Sequence, residues 1–448
     1  MGESKKDALR VNFDSKLKLE FNGTKVTTDA GLLAYRELDE VLGLTTMMDS
    51  EFYDNRTGKN TQHNITALLR QSIYSRLAGY EDTNDAKRLS VDPAMRQIVG
   101  GRATARTAAS TSLMGRFETE ILTQPQNLEL LTKLPGIWVD RVKEQKSLKT
   151  IILDMDSSVS PTYGSQEGSA YNGYFECTCY HPLFCFNQFG DIERAMLRNG
   201  NFHSADDWQS VLEPIIKRYK GYNILRFFRG DAAFADPDVY SCLETEGYVY
   251  AIRLKDNAIL HDKIEHLLTR PVDRPPKQPI VLYESFQYRA ASWDKSRRVV
   301  AKIEWHSGEL FPRVGFIVTN LRWKSSNVVK FYNKRGTAEQ WIKEGKYALN
   351  WTRLSCHDFD DNQVRLQLFA LAYNLGNFLR RLALPKKVRD WSLRTLKEKL
   401  IKIGAKVVRH SRYVIFQMAE VAVPKALFCE ILWRIRQLTL MAIPSGAG

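Results

Sequence analysis

Apolar residues follow a helical spacing in the first third of the chain. From residue 30 to about residue 136 they recur every three or four positions, as at residues 66–77. Ser110 or Thr111 stands where the N-cap of a further helix is expected. Ahead of these helices, residues 17–22 and 24–27 have the pattern of a short β-hairpin. Residues 1–147 are therefore predicted to be mainly helical.

After residue 147 the pattern changes to short β-branched and aromatic runs. An amphipathic helix starts at Ser204, with apolar residues at i, i+3, i+4, i+7, i+8 and i+11 from Trp208. A second helix is predicted at residues 237–246. Strands are predicted at residues 150–156, 171–180, 183–189, 224–228 and 248–254. Three strands, helix, strand, helix, strand fit the mixed sheet of an α/β, ribonuclease H-like core.

This core is predicted to be interrupted by a β-rich insertion at residues 257–327. Residues 148–256 would form its first part, and residues 328–384 its second. The second part contributes helices at residues 337–350 and 363–384, and residues 385–448 end in a helix at 422–440. The strands of the insertion are predicted at residues 279–283, 286–293, 298–305 and 314–319.

The chain carries a surplus of positive charge. It has 65 Lys and Arg against 51 Asp and Glu, a formal net charge of +14 in 448 residues. Such a surplus indicates a polyanionic partner, with nucleic acid first, although a merely basic protein is the alternative. The cations of residues 1–147 and 385–448 predict DNA-binding flanks, the first also serving dimerisation. A structural bundle and a solvated helix face are the respective alternatives.

The composition argues against secretion and membrane insertion. Residues 1–10 are polar and charged, unlike a signal peptide, and the chain has no run of about 20 apolar residues. Its six cysteines are widely spread, as is typical of a reducing compartment. We therefore expect a cytoplasmic protein with no membrane partner.

Basic and aromatic residues alternate within the insertion. Trp293, Trp305 and Trp323 lie among cations that include Arg297 and Arg298. Unpaired DNA needs this combination, because cations neutralise phosphates and flat rings stack on bases. These residues are candidate DNA contacts. For any single Trp, packing in the core of the insertion itself is the more common role.

Four polar side chains are spaced to share one helix face. Tyr332, Arg335, Glu339 and Lys346 are separated by three, four and seven residues. At 100° per residue they fall within about 60° of one another. A carboxylate thus aligns with two cations and a phenol, which suits a metal ion surrounded by phosphates. An ordinary surface helix also carries mixed charges, so this face alone is weak evidence.

Two acids upstream strengthen this interpretation. Asp156 ends the first predicted core strand and Asp231 ends the fourth, and these strands are neighbours in a ribonuclease H-like sheet. With Glu339 they supply three carboxylates, the ligands that Mg²⁺ prefers. Two ions about 3.5–4 Å apart would activate a water or hydroxyl and stabilise the leaving oxygen of a phosphodiester. We predict two Mg²⁺ ions, replaceable by Mn²⁺, at these carboxylates.

Other acidic residues are alternative candidates for the three metal-ligand positions. Asp154 shares a strand face with the acid that ends the first core strand, but it lies deeper in the sheet. Asp236 and Asp238 fall at a predicted helix start, where acids are common caps. Glu344 lies about 140° from Glu339 around the helix.

The spacing of the four helix residues matches a known signature. Tyr332, Arg335, Glu339 and Lys346 fit Tyr-x2-Arg-x3-Glu-x6-Lys at every position. The chain thereby resembles DDE transposases of bacterial insertion sequences, in the group with a β-strand insertion before the last catalytic helix. LDMDSSVSPTYGSQEG, LRFFRGDAAF and GAKVVRHSRYVIFQMAEVAVP are similar to the branch related to piggyBac transposases. The resemblance covers essentially the whole chain, most strongly residues 150–384.

This resemblance implies cut-and-paste transposition by strand hydrolysis, hairpin formation and opening, and attack of the 3′ ends on target DNA. The three carboxylates would be the catalytic metal ligands. Tyr332, Arg335 and Lys346 would contact phosphates near the cleavage site, and a tryptophan of the insertion would contact a flipped base. The implied partners are double-stranded terminal inverted repeats and target DNA, handled by a homodimer at a bacterial nucleoid.

Two other functions remain open at this point. One is a ribonuclease H-like nuclease or resolvase that cuts DNA without joining strands. The other is a non-catalytic DNA-binding protein derived from a transposase, which would keep the basic surface and need no acids.

Overall fold

A computed structural model of the protein describes residues 9–11, 13–19, 23–56, 62–144, 148–270, 278–410 and 412–441. Within these ranges, an N-terminal helical part packs against a large mixed β-sheet, and both contribute to one apolar core.

The N-terminal part is mainly helical, as predicted. The Ser110 hydroxyl accepts a hydrogen bond from the Leu113 amide, so the expected N-cap is confirmed. The elements of this part are β1 (Leu9–Val11), β2 (Asp14–Leu19), β3 (Lys25–Thr27), α1 (Leu32–Leu42), α2 (Ile65–Leu77), α3 (Ala86–Leu89), α4 (Pro93–Val99), α5 (Thr111–Arg116) and α6 (Pro125–Lys143).

The predicted hairpin of residues 17–22 and 24–27 is wrong. β2 pairs with β1, whereas β3 pairs with residues 405–407 near the other end of the chain. Residues 20–22 of the prediction lie outside the described residues. Alternation identifies a strand but not its partner, because tertiary contacts decide the pairing.

The core and the insertion share one sheet. Their elements are β4 (Thr150–Ser157), β5 (Ser160–Pro161), β6 (Ala170–Asn172), β7 (Cys177–Tyr180), β8 (Leu183–Asn187), β9 (Ile192–Met196), α7 (Trp208–Tyr219), β10 (Leu225–Gly230), α8 (Pro237–Thr245), β11 (Val249–Leu254), α9 (Ala258–Asp262), β12 (Ile280–Tyr288), β13 (Arg297–Trp305) and β14 (Arg313–Thr319). In the part of the chain that the structure describes, eight strands join in the order β12-β13-β14-β11-β10-β4-β8-β9.

The strand order of the core is that of a ribonuclease H-like sheet. β4, β8 and β9 are antiparallel neighbours, and β10 and β11 run parallel to β4 on its other side. The predicted α/β class is therefore confirmed. The insertion extends this sheet, because β14 pairs with β11. Residues 279–283 and 286–293, predicted as two strands, contribute one strand, β12.

The predicted second core strand at residues 171–180 is wrong. That segment turns back on itself, with Glu176 at φ 53°, and forms β6 and β7 of a separate three-stranded sheet with β5. The place in the core sheet belongs to β9. Its buried Glu193 concealed the apolar pattern of a core strand. This carboxylate accepts a hydrogen bond from the Tyr219 hydroxyl at 2.9 Å and pairs with Arg218.

The remaining elements are α10 (Ser325–Asn333), α11 (Gly336–Glu344), α12 (Phe359–Leu382), α13 (Leu393–Leu396), β15 (Ala405–His410), β16 (Tyr413–Met418) and α14 (Lys425–Met441). A π-helical turn at residues 345–349 continues α11. α12 is buried over most of its length and packs on α2, α6 and β9. The hairpin of β15 and β16 was not predicted. No described helix combines the length and apolar character needed to cross a membrane.

Candidate active site

Asp156 and Asp231 lie at the carboxyl ends of two neighbouring parallel strands. Arg229 of β10 is opposite Asp154 of β4. Asp231 and Asp156 each follow these residues by two positions. They therefore lie opposite each other on the same face of the sheet. Asp231 follows β10 directly and accepts a hydrogen bond from the Ala233 amide at 2.9 Å, which caps a short 3-10 turn.

The four signature residues span two helices and a π-helical turn. Tyr332 lies near the end of α10, and Arg335 stands at the junction with α11. Glu339 is in the first turn of α11, and Lys346 lies in the π-helical turn. The continuous helix assumed from their spacing is thus divided at Arg335. α11 packs against β4, which brings its first turn towards the two strand-end acids.

The guanidinium of Arg335 gathers the three carboxylates. Its Nη2 atom is 3.1 Å from Asp156 Oδ2 and 3.5 Å from Asp231 Oδ2. Its Nη1 atom is 3.6 Å from Glu339 Oε1. Arg335 is 7% exposed and Asp156 9%, so their pairing is shielded from solvent. Three acids that are distant in sequence thus converge on one cation.

Comparison with known proteins identifies the family. A family model described as transposase DDE domain, group 1, matches residues 9–440. The chain belongs to this DDE transposase family. DDE transposases are enzymes that break and join DNA strands and generally use divalent metal ions.

Other comparisons are more distant. A cryo-EM structure of a piggyBac transposase synaptic complex with hairpin DNA is similar to this transposase at 10% sequence identity. The similarity covers 94% of this chain and 86% of that one, with a TM-score of 0.44, and is too low to carry an argument about function. No significant match was found among curated proteins.

The donors of this transposase suit a divalent cation by their chemistry. All three are carboxylates, which hard cations such as Mg²⁺ prefer, and they already surround a positive charge. As they stand, the described residues contain no group of three or more His, Cys, Asp or Glu side chains arranged to hold a metal ion. Shared coordination therefore requires Arg335 to move from between the acids.

The environment of Asp156 disfavours its negative charge. Burial, opposed by the Arg335 guanidinium and reinforced by Asp231 and Glu339, raises the pKa of Asp156 to about 7. Burial lowers the pKa of Arg335, but the nearby carboxylates of Asp156 and Asp231 outweigh this effect and raise it above the usual value. A carboxylate held in this way gains from any additional cation that approaches it.

Lys346 and Tyr332 complete the surroundings of the acids. Burial lowers the pKa of Lys346, an effect that Asp156 opposes. Burial raises the pKa of Tyr332, while the guanidiniums of Arg335 and Arg253 oppose the rise. Both side chains are thus within electrostatic reach of the carboxylates.

The competing acids have other partners. Asp154 is fully buried and binds Arg229 through two hydrogen bonds of 2.7 and 2.5 Å. Glu344 accepts two hydrogen bonds of 2.9 Å from Arg380. Asp236 caps α8 by accepting from the Asp238 amide, so the expected capping role is observed.

Three of the predicted DNA contacts in the insertion lie in the protein core. Trp293 is 4% exposed and packs edge-on against Tyr240, and Trp305 is 5% exposed. Arg297 is 4% exposed and pairs with Glu244 and Asp294. We therefore correct the prediction for these three residues, because buried and paired side chains are not available to DNA.

The other two predicted contacts of the insertion are placed differently. Trp323 is 42% exposed and packs against Phe227 and Phe331. Arg298 donates hydrogen bonds to the carbonyl oxygens of Leu321, at 2.7 Å, and Trp323, at 2.8 Å. Arg298 thus holds the segment that carries the exposed Trp323 ring.

Two arginines near the acids were missed in the sequence. Arg229 lies two residues before Asp231. Because alternate residues of a strand share a face, it lies on the same sheet face as the acids. It binds Asp154 and also donates to the Phe331 carbonyl of α10 at 3.0 Å. Arg253 of β11 lies beside Asp231, because Gly230 and Ile252, the residues before them, are opposite each other. The alternation of residues along β10 and β11 was the sequence signal that could have identified both arginines.

Proposed function

We propose that this DDE transposase moves an insertion sequence by cutting and pasting DNA. The observation that carries the proposal is the convergence of Asp156, Asp231 and Glu339 on the Arg335 guanidinium at the carboxyl ends of β4 and β10. Each acid comes from a different element, and the site is open to solvent at Glu339, which is exposed. A DNA strand can therefore reach the acids.

The proposed ligands are the three carboxylates. Asp156, Asp231 and Glu339 would hold two Mg²⁺ ions, or Mn²⁺, which when bound activate the attacking water or hydroxyl and stabilise the leaving oxygen. The polypeptide itself contributes a rigid pair of strand ends, Asp156 and Asp231, and a third acid on a helix.

The cations of the signature are proposed to bind the DNA backbone. Arg335 and Lys346 would donate hydrogen bonds to phosphates near the scissile linkage, and the Tyr332 hydroxyl would donate one to a phosphate oxygen. When a phosphate arrives, the Arg335 guanidinium exchanges its carboxylate partners for it. The acids are then free to bind the divalent ions, so DNA and metal ions bind cooperatively.

The full reaction is proposed from the signature resemblance. One strand is hydrolysed at each end of the element, and the freed 3′-hydroxyl attacks the opposite strand to give a hairpin. The hairpin is opened, and the 3′ ends attack target DNA. A homodimer would hold the two terminal inverted repeats, and Trp323, the exposed tryptophan of the insertion, is the proposed contact for a flipped base.

Strand transfer separates the proposal from its alternatives. We would mix the purified protein with Mg²⁺, a target plasmid and either intact or pre-cleaved element ends taken from the DNA that borders the gene. Joined products are expected. Cleavage of intact ends without joining would favour the nuclease, and end binding without either reaction would favour the non-catalytic protein.

Variants of the acids test the site itself. Asp231→Ala and Glu339→Gln are expected to abolish cleavage while end binding persists. Asp238→Asn is the matched control, because Asp238 is an exposed acid at the start of α8. Cleavage at the normal rate by either active-site variant would remove the assignment.

A further inference from the structure

The hairpin of β15 and β16 extends beyond the sheet that anchors it. β3 pairs with β15 only at residues 405–407. Past this point the two strands continue as a two-stranded ribbon, in which Val408 lies opposite Ile415 and His410 lies opposite Tyr413. At its other edge β16 has no partner strand in the described ranges. The ribbon is therefore open along one edge and at its end.

The inner face of the ribbon is held against the N-terminal helical part. Ala405 is buried opposite Met418, which packs against the apolar core. Arg409 lies four residues beyond Ala405 on the same face and donates a hydrogen bond to the Thr104 carbonyl at 2.8 Å. Arg96 of α4 donates to the same oxygen at 3.0 Å. The ribbon is thus fixed in position by its base and by its inner face.

The outer face of the ribbon is exposed. Its alternate residues form three cross-strand pairs, which are Lys406 with Gln417, Val408 with Ile415, and His410 with Tyr413. Tyr413 is 72% exposed, and Lys406, His410, Ile415 and Gln417 are exposed as well. This face therefore combines hydrogen-bonding side chains with an apolar side chain and an aromatic ring.

Positive charge surrounds the outer face and has no local counter-charge. Residues 405–418 contain three Lys and Arg residues and no Asp or Glu. Across the described ranges, the exposed cations of the ribbon, of β3 and of residues 101–106 form no ion pair with a carboxylate. These cations are Lys25, Arg102, Arg106, Lys406 and Arg412. A surface of this kind attracts a polyanion.

We propose that the β15–β16 ribbon enters the major groove of the element's terminal inverted repeat and reads its sequence. This inference rests on the proposed function. The major groove is about 12 Å wide and admits a two-stranded β-ribbon. The strands of such a ribbon are about 4.8 Å apart, so the part of the hairpin beyond β3 fits the groove with its outer face towards the bases.

The side chains of the outer face match the chemistry of base edges. Gln417 lies on the open-edge strand and can pair with the N6 and N7 atoms of an adenine. Ile415 offers an apolar contact to a thymine methyl group. A ring nitrogen of His410 can donate to an acceptor of guanine. Arg102 and Arg412 would hold phosphates beside the groove, which sets the position of the ribbon without reading sequence.

Charge favours DNA over a second copy of the chain. An open strand edge is also a place where another copy can pair. Two-fold pairing through β16 would bring the cations of one ribbon towards those of the other, and residues 405–418 supply no carboxylate to balance them. Duplex DNA instead carries one negative charge per about 1.7 Å of helix axis.

The first test compares binding to the element end with binding to a scrambled duplex of the same length. Fluorescence anisotropy at one salt concentration measures both affinities. Gln417→Ala should weaken binding to the element end about tenfold and leave binding to the scrambled duplex unchanged. Gln209→Ala is the matched control, because it removes an exposed amide from α7. It should alter neither affinity.

The second test separates phosphate contacts from sequence reading. Arg412→Ala should weaken binding to both duplexes equally and reduce the slope of log affinity against log salt by about one. Lys217→Ala, which removes an exposed positive charge from α7, should leave this slope unchanged.

The third test locates the base that is read. Base pairs of the element end are changed one at a time. At one position the change should weaken wild-type binding but cause no further loss in Gln417→Ala. Ile415→Glu, which places a negative charge on the outer face, should prevent preferential binding of the element end altogether.

The outcomes separate this inference from the proposed function. If the wild type prefers and cuts the element end while Gln417→Ala keeps the preference of Gln209→Ala, the inference is overturned and the proposed function stands. If Ile415→Glu turns a dimer into a monomer in sedimentation equilibrium and the preference persists, the ribbon is a protein interface and the inference is overturned. If the wild type neither binds nor cuts the ends, the proposed function fails and the inference with it.

Discussion

The two faces of β4 have different tasks. On one face, Ile151, Leu153 and Met155 are buried in the apolar core beneath α7 and α8. On the other, Asp154 and Asp156 alternate with them and meet charged partners from β10 and α11. A single eight-residue strand thus supplies apolar packing on one side and the proposed catalytic carboxylate on the other.

The charged face of β4 is tolerated in the interior because its charges are paired. Asp154 and Arg229 satisfy each other in the interior, and the Arg335 guanidinium sits among the acids at the strand ends. Charge on this face is therefore balanced in two layers, an inner ion pair within the structure and an outer cluster that is proposed to bind DNA and metal ions.

Loss of Asp156 should abolish chemistry without unfolding the protein. Asp156→Asn removes a proposed metal ligand and should lower the cleavage rate about a thousandfold or more. The side chain remains similar in size, so cooperative unfolding followed by circular dichroism should be retained. A variant that is inactive because it is unfolded would not support this assignment.

Loss of the inner ion pair should instead destabilise the fold. Arg229→Ala leaves Asp154 buried without a counter-charge and should lower the free energy of unfolding by about 3–5 kcal/mol. Urea titration measures this loss. The double variant Arg229→Met with Asp154→Leu should recover much of it, because it removes both charges. Equal instability of the single and double variants would contradict the account.

The apolar face should respond in stability alone. Leu153 is fully buried, and Leu153→Ala should lower the free energy of unfolding by about 2–5 kcal/mol. Per folded molecule, its cleavage rate should remain near that of the wild type. A large loss of rate in fully folded protein would show that the two faces are not separate.

Removal of the Arg335 charge should strengthen metal binding. Arg335→Gln frees the three carboxylates, so Mn²⁺ titrated without DNA and followed by electron paramagnetic resonance should bind about tenfold more tightly than to wild type. DNA ends should bind the variant more weakly. Unchanged Mn²⁺ affinity would contradict the proposed exchange of partners.

The charge of Asp156 should also appear as a dependence of stability on pH. Its pKa of about 7 is above the usual value near 4, so the folded protein binds an extra proton between these values. The stability contribution of Asp156 is therefore lost as pH rises through this window. The free energy of unfolding of Asp156→Asn should exceed that of wild type by about 1–3 kcal/mol more at pH 8 than at pH 4.5. A difference independent of pH would refute this reading of the site.

Much of the core was predictable because alternation and turn residues mark strand ends. Asp156 and Asp231 could be chosen from two short apolar runs, and the helix spacing identified Glu339. The meeting of the three acids was predicted from the expected strand order, but their contacts with the Arg335 guanidinium were not, since these depend on the packing of α11 on β4.

The wrong predictions arose where burial and the choice of ion-pair partner depend on tertiary contacts. The sequence around Trp293 and Trp305 is equally typical of a DNA-binding surface and of a β-rich core, and the carboxylates that pair with Arg297 decide between them. β9 was missed because its buried Glu193 is satisfied by Arg218 of α7, a contact between separate elements. Local patterns do not carry such information.

The most direct test of the account is diffraction at the manganese absorption edge from crystals of the protein with a DNA end and Mn²⁺. We predict anomalous peaks within about 2.2 Å of carboxylate oxygens of Asp156, Asp231 and Glu339, with the Arg335 guanidinium turned to a DNA phosphate. Manganese bound elsewhere, or these acids still held by Arg335 with DNA in place, would contradict it.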